Sequence, residues 1–132
     1  MDAIVTERLT QNYGNVRALK EVSFAVHRGE LYGIIGADGA GKTTLFRILA
    51  TLILPKSGRA WVDGYDVKAQ YKEIRQRVGY MPGRISLYLD LSVEENLSFY
   101  ASVFGTTIRE NYALVAPIYK QIGPFARRKA GN

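Results

Sequence analysis

Apolar positions change their spacing several times along this chain, and each change marks an element. "AIVTERL" and "VSFAV" read as strands, the second alternating at period two through Val22, Phe24 and Val26. His27-Arg28-Gly29-Glu30 is a polar turn, and Leu31 to Ile35, "LYGII", is a short apolar run suited to a strand buried on both faces. Beyond a glycine-rich segment, Leu45, Ile48, Leu49 and Leu52 recur at helical spacing, which predicts a helix ending before Pro55. "PKSGR" is then a loop and "AWVDG" a strand entering a turn. Tyr71 to Arg77 is a short helix and Val78 to Met81 a further strand.

Two later helices carry their own start signals. Ser92-Val93-Glu94-Glu95 has capping-box spacing, and behind it Val93, Leu97, Tyr100, Ala101 and Phe104 make one apolar face. Thr107 and Glu110 repeat the spacing, and Ile108, Tyr112, Val115, Tyr119 and Ile122 form the next stripe. Pro117 falls inside that second helix. A mid-helix proline removes a hydrogen bond and crowds the preceding turn, at about 3 kcal/mol, so a kink or break is expected near Ala116.

Composition narrows the class. At 132 residues and 47% apolar content the chain is long enough for one domain with a real core. It has no cysteine, which excludes a disulfide framework, thiolate catalysis and cysteine–zinc sites, and fits a reducing compartment. The longest apolar run, Leu45 to Leu54, is interrupted by Arg47 and is too short to span a bilayer. "MDAIVTERL" is not a secretory signal, so a cytosolic location is expected. The net charge of +6 falls almost wholly in residues 67–132, yet its only dense run is Arg127-Arg128-Lys129. That reads as a solvated basic tail, not as a nucleic-acid site, which would need stacking aromatics among the cations. His27, the only histidine, sits at a strand-to-turn boundary and reads as a structural surface residue.

The chemistry is concentrated in "GADGAGKTT", a full match to G-x-x-x-x-G-K-[ST]. Gly36, Ala37, Asp38, Gly39, Ala40 and Gly41 let successive backbone N–H groups turn toward phosphates. The following helix aims its positive end at the same place. Lys42 adds a full charge for the terminal phosphates, Thr43 is placed to ligate Mg2+, and Thr44 closes the run. The strand-like "LYGII" before it and the amphipathic helix after it are the context this motif requires. A nucleoside triphosphate is the expected ligand.

The sequence "YGNVRALKEVSFAVHRGELYGIIGADGAGKTTLFRILATLILPKSGRAWVDGYDV" closely resembles the first half of an ABC-transporter ATP-binding subunit, nearest in flavour to bacterial drug-export subunits. Similarity continues through "VGYMPGRISLYLDLSVEENLSFYASVFG". The resemblance implies an α/β phosphate-loop NTPase sheet with an antiparallel β portion, and makes residues 1–132 one partial nucleotide-binding domain. It implies ATP and Mg2+ as ligands, with Tyr13 where the family places an aromatic that stacks on adenine. It also implies a transmembrane permease subunit and a second nucleotide-binding domain as partners. Nucleic acid and a membrane span of its own are not expected; the assembled location is the cytoplasmic face of the inner membrane.

Two positions depart from the family pattern. Asp38 stands where Asn or Ser is commoner, and a carboxylate beside phosphates is unfavourable unless it points away. In "YMPGR" the family's Q-loop glutamine falls at Gly83, which has no side chain to meet magnesium or water. The final "FARRKAGN" resembles the run leading into the family's LSGGQ-like signature, so the signature, Walker B strand and switch histidine are expected outside residues 1–132. Hydrolysis needs a positioned water and a second acidic anchor for magnesium. Residues 1–132 are therefore expected to bind ATP without turning it over, and to expose apolar surface.

Two other readings compete. "ISLYLD" as a strand ending in Asp90 gives a stand-alone kinase or GTPase with Asp90 anchoring magnesium; the alternative places Asp90 in the turn before the Ser92 cap. A GTPase is expected to carry N-K-x-D, which is absent. The other reading is a catalytically silent module that docks on a transporter.

Overall fold

The computed structural model describes residues 1–37, 39, 41–84 and 87–131. They form two units, Met1–Tyr80 and Met81–Asn132.

The first unit is built on two strands longer than the sequence pattern indicates. β1 (Asp2–Tyr13) and β2 (Val16–His27) are arms of one antiparallel hairpin, turned at Gly14 and Asn15. β1 also pairs with β3 (Ser57–Val62), which pairs with the short β4 (Tyr65–Asp66), giving the order β2-β1-β3-β4. Strict period two does not hold along β1: Thr6, Leu9 and the adjacent Thr10 are all buried, with register shifts between them. The threonine hydroxyls bond to β2, Thr6 Oγ1 donating to the Val22 carbonyl at 3.1 Å and Thr10 Oγ1 accepting from Glu21 N–H at 3.1 Å. A bulge at Arg8 (φ +48°) breaks both registers of β1. Gly58 of β3 lies against it; a Cβ there would stand 2.1 Å from the Arg8 carbonyl oxygen, so only glycine fits.

α1 (Lys42–Leu49) lays Leu45, Ile48 and Leu49 on this sheet, where they join Leu9, Leu19, Ala60, Val62, Val67 and Ile74 in the core. The helix ends sooner than Pro55 alone requires. Thr51 takes a left-handed φ of +67°, its N–H reaching the Ile48 carbonyl and Leu52 N–H reaching Arg47 at 2.8 Å. Arg75 holds that end, donating to Thr51 Oγ1 at 2.8 Å and to its carbonyl at 3.1 Å. Leu52 is thereby put outside the helix and exposed. α2 (Tyr71–Arg75) realises the expected short helix and buries Ile74.

Two expected strands do not form. Residues 31–35 have no strand pairing among the described residues, and residues 78–81 have none either; Val78 N–H instead donates back to Ile74 at 3.1 Å. A strand exists only where a neighbour supplies a ladder, and every pairing among the described strands is antiparallel and outside these runs.

In the second unit α3 (Val93–Val103) starts with the full capping box: Glu95 N–H donates to Ser92 Oγ at 3.0 Å and Ser92 N–H to Glu95 Oε1 at 2.9 Å. α4 (Ile108–Ile122) is capped by Thr107, which accepts from Glu110 N–H at 3.1 Å, but the Glu110 carboxylate takes the Thr106 hydroxyl instead of closing a box. Contrary to the expected break, α4 continues through Pro117. The carbonyl that proline leaves without a donor belongs to Ala113, an exposed residue, so water can satisfy it. The two predicted apolar stripes face each other across a groove of about 470 Å³ lined by Leu97, Tyr100, Phe104, Val115, Tyr119 and Ile122. The basic run is not a free tail in its backbone: Arg128 O accepts Val93 N–H at 2.9 Å and Lys129 bridges Ser92, while the three cationic side chains are exposed.

The strand reading of "ISLYLD" is corrected. Ile85 and Ser86 lie outside the described residues, and Leu89 and Asp90 form an exposed turn directly before the Ser92 cap.

Candidate functional site

Among the described residues, the start of α1 differs from the other long helices in having no side-chain cap. Its N-cap is Gly41, and its first turn holds no acidic residue. The first intrahelical bond is Leu45 N–H to Gly41 O at 2.9 Å, so the preceding N–H groups have no helical acceptor. α3 and α4 close the same positions with Ser92, Glu95 and Thr107. An uncapped N-terminus keeps its partial positive charge available to an anion.

Gly41 is fixed sterically as well as conformationally. Its φ is +95°, and a Cβ would stand 2.2 Å from the Ala18 carbonyl oxygen and 2.9 Å from Leu19 Cδ2. The loop therefore rests directly on β2. Tyr13, Val16, Ala18, Gly39, Gly41, Lys42, Thr43 and Thr44 line one cleft of about 280 Å³. Tyr13 reaches it from the end of β1, where the hairpin turn brings residues 13–18 beside the loop. Asp38 and Ala40 of the predicted set lie outside the described residues.

Lys42 Nζ donates to the carbonyls of Gly36 and, at 2.9 Å, Ala37. These bonds fold the ammonium over the loop's own backbone and use two of its three N–H donors, leaving one for a phosphate oxygen. Thr43 is exposed, whereas Thr44 is buried. The Thr44 hydroxyl is the main influence holding the half-exposed Tyr13 phenol below the usual tyrosine range; desolvation opposes it, and Arg47 adds to it. Val16 and Ala18 were not identifiable as site residues from sequence, because the packing of β2 beside the loop brings them there. A glycine that tolerates no Cβ was the available sign that some backbone had to pass close.

A triphosphate fits this donor set: unpaired helix N–H groups, one ammonium and a glycine approach with no side chain in the way. For Mg2+ the exposed Thr43 hydroxyl is the side-chain oxygen that could serve, and no cluster of three acidic or histidine residues occurs among the described residues. Phosphate oxygens and water would then fill the remaining coordination, as magnesium commonly requires. His27 lies apart from this chemistry as expected, exposed, with Nδ1 2.6 Å from Asp2 Oδ1. Gly83 also offers open space where a Cβ would stand, so nothing steric demands glycine there.

The antiparallel sheet, glycine loop and supporting helix are those of a partial α/β phosphate-loop NTPase domain of the ABC ATPase kind, as the comparison with solved structures shows. The chain belongs to the ABC transporter family, whose profile matches residues 19–130. It is 44% identical over 102 residues to the probable multidrug ABC transporter ATP-binding protein YbhF of Escherichia coli, covering 77% of this chain and 18% of that one. It is 35% identical over 120 residues to the ABC transporter ATP-binding protein NatA of Bacillus subtilis, covering 89% and 49%. The linearmycin resistance ATP-binding protein LnrL of Bacillus subtilis is 32% identical over 123 residues, with 93% and 40% covered. A solved ATP-binding subunit of an ABC transporter superposes with a TM-score of 0.83 at 26% identity, over 96% of this chain and 54% of that one. The chain thus spans half or less of the length of these curated relatives. Among the described residues no helix is long and apolar enough to cross a membrane.

Proposed function

We propose that residues 1–132 bind Mg-ATP as the nucleotide-gripping part of an ABC-transporter ATPase subunit that drives export. Gly36, Ala37, Asp38, Gly39, Ala40 and Gly41 wrap the phosphates, and Lys42 contacts the terminal ones. Thr43 ligates magnesium, Thr44 supports the loop, and Tyr13 stacks on adenine. The observation that carries this reading is the uncapped start of α1 opening into the cleft that Tyr13 and Lys42 also line. In the assembled transporter the domain pairs with a second nucleotide-binding domain and a membrane permease at the cytoplasmic face of the inner membrane. Cleavage needs a positioned water and a second acidic anchor for magnesium besides the phosphate loop, so residues 1–132 alone hold ATP and turn it over negligibly in this reading. Calorimetric titration with Mg-ATP tests the binding: saturable heat is expected, weakened in Lys42→Ala. Absence of saturation on folded protein overturns the reading.

A further inference from the structure

The cleft lined by Tyr13 and Lys42 opens beside a second one. Arg17, Ala18, Leu19, Lys20, Val22 and Gly39 line a neighbouring space of about 370 Å³, and the two clefts share Ala18 and Gly39 as wall residues. Arg17 and Lys20 belong to β2, the outer strand of its sheet, and both are exposed. No acidic side chain lines the second cleft, and among the described residues neither cation is in an ion pair. An exposed cation is ordinarily just solvated. What sets these two apart is their place beside a loop short of positive charge. Between Gly36 and Thr44 the single positive side chain, Lys42, is matched by the single negative one, Asp38. Lys42 also gives two of its three N–H donors to the Gly36 and Ala37 carbonyls. A triphosphate remains an anion even as its magnesium complex, so the loop's side chains alone leave it uncompensated.

We propose that Arg17 and Lys20 supply that charge, acting through space on the phosphates so that affinity rises with the number of phosphate groups. The inference rests on the Mg-ATP reading above and adds to it a charge-selecting pair from outside the loop. A ligand beside Gly39 lies next to a cleft that both cations line, and their attraction is screened over about 10 Å at 0.1 M salt. The contribution is therefore electrostatic, salt-sensitive and larger for a triphosphate than for a diphosphate.

Calorimetric titration with Mg-ATP and with Mg-ADP, at about 0.05 M and about 0.5 M salt, tests this. The double variant Arg17→Gln with Lys20→Gln removes both charges from exposed positions and is expected to fold as the parent does. Its Mg-ATP affinity is expected to fall about fivefold at the lower salt, and its Mg-ADP affinity about twofold. At the higher salt both losses shrink toward nothing. Arg17→Lys, which keeps the charge, binds both nucleotides as the parent does. Parent-like Mg-ATP affinity in the double variant at low salt overturns the proposal, while Lys42→Ala, still weakening binding, keeps the phosphate-loop reading standing. An equal loss for both nucleotides that salt leaves unchanged also overturns it, because a packing contact behaves that way and a charge does not. No saturation in the parent removes the Mg-ATP reading and this inference with it.

Discussion

Asn96 grips the backbone of Tyr88 from both sides: its Oδ1 accepts the Tyr88 N–H at 2.8 Å and its Nδ2 donates to the Tyr88 carbonyl at 2.9 Å. The same Nδ2 reaches the Ser92 carbonyl at 3.0 Å, and the residue is 1% exposed. One buried amide thus ties the turn holding Asp90 to the first turn of α3. Asn96→Leu removes the amide and strands Tyr88's N–H and carbonyl. A loss on the order of 2–3 kcal/mol in the second unit is expected, measured by denaturant titration or by exchange at α3 amides. Ring contacts of Tyr88 with Phe99, at 5.2 Å, should loosen with it.

The α3 cap carries a pH signature. Glu95 is held below the ordinary glutamate value by the Ser92 backbone N–H and then by the Ser92 hydroxyl, against slight desolvation. A carboxylate depressed in the folded state contributes stability above its unfolded value, near 4.5, and loses it as pH falls through the lower folded value. Exchange protection of α3 is therefore expected to weaken below about pH 4.5. Glu95→Gln, which keeps the hydrogen bond without the charge, flattens that dependence. Ser92→Ala lowers α3 stability by about 1 kcal/mol at neutral pH.

Gly41→Ala meets two penalties together, a left-handed φ and the Ala18 carbonyl at 2.2 Å. A destabilisation of at least about 2 kcal/mol in the first unit is expected, along with loss of Mg-ATP binding. Gly39→Ala separates the two effects. It shares the left-handed φ, at +83°, but has open space around its Cβ, so it is expected to cost about half as much.

Nucleotide affinity should divide between charge and ring. Lys42→Ala removes a charge-assisted contact of about 1.5–3 kcal/mol, a loss of roughly 10- to 150-fold in Kd by calorimetry. Tyr13→Ala removes base stacking, with a loss of about tenfold, whereas Tyr13→Phe keeps the ring and stays within about threefold of the parent. Equal losses in Phe and Ala would make the phenol's contact with Thr44, not stacking, the contribution of Tyr13.

Gly83→Gln restores the side chain the family places at this position. With open space around its Cβ and no left-handed φ, the variant is expected to fold within about 0.5 kcal/mol of the parent, checked by thermal unfolding.

Sequence by itself determined what depends on neighbours in the chain. The Ser92 box, the Thr107 cap, the face of α1 and the phosphate loop follow from residues three or four apart, whose geometry is set by helical backbone alone. Long-range packing decided the rest. β1 and β2 extend past their apolar stretches because residues 11–13 pair with residues 16–19 across the hairpin and Thr10 accepts the Glu21 N–H. Residues 31–35 and 78–81, strand-like by composition, lack strand form because a ladder needs a second backbone alongside. Tyr13 reaches the loop through the hairpin that returns β2 beneath Gly41, a contact between residues about thirty positions apart that no local spacing encodes.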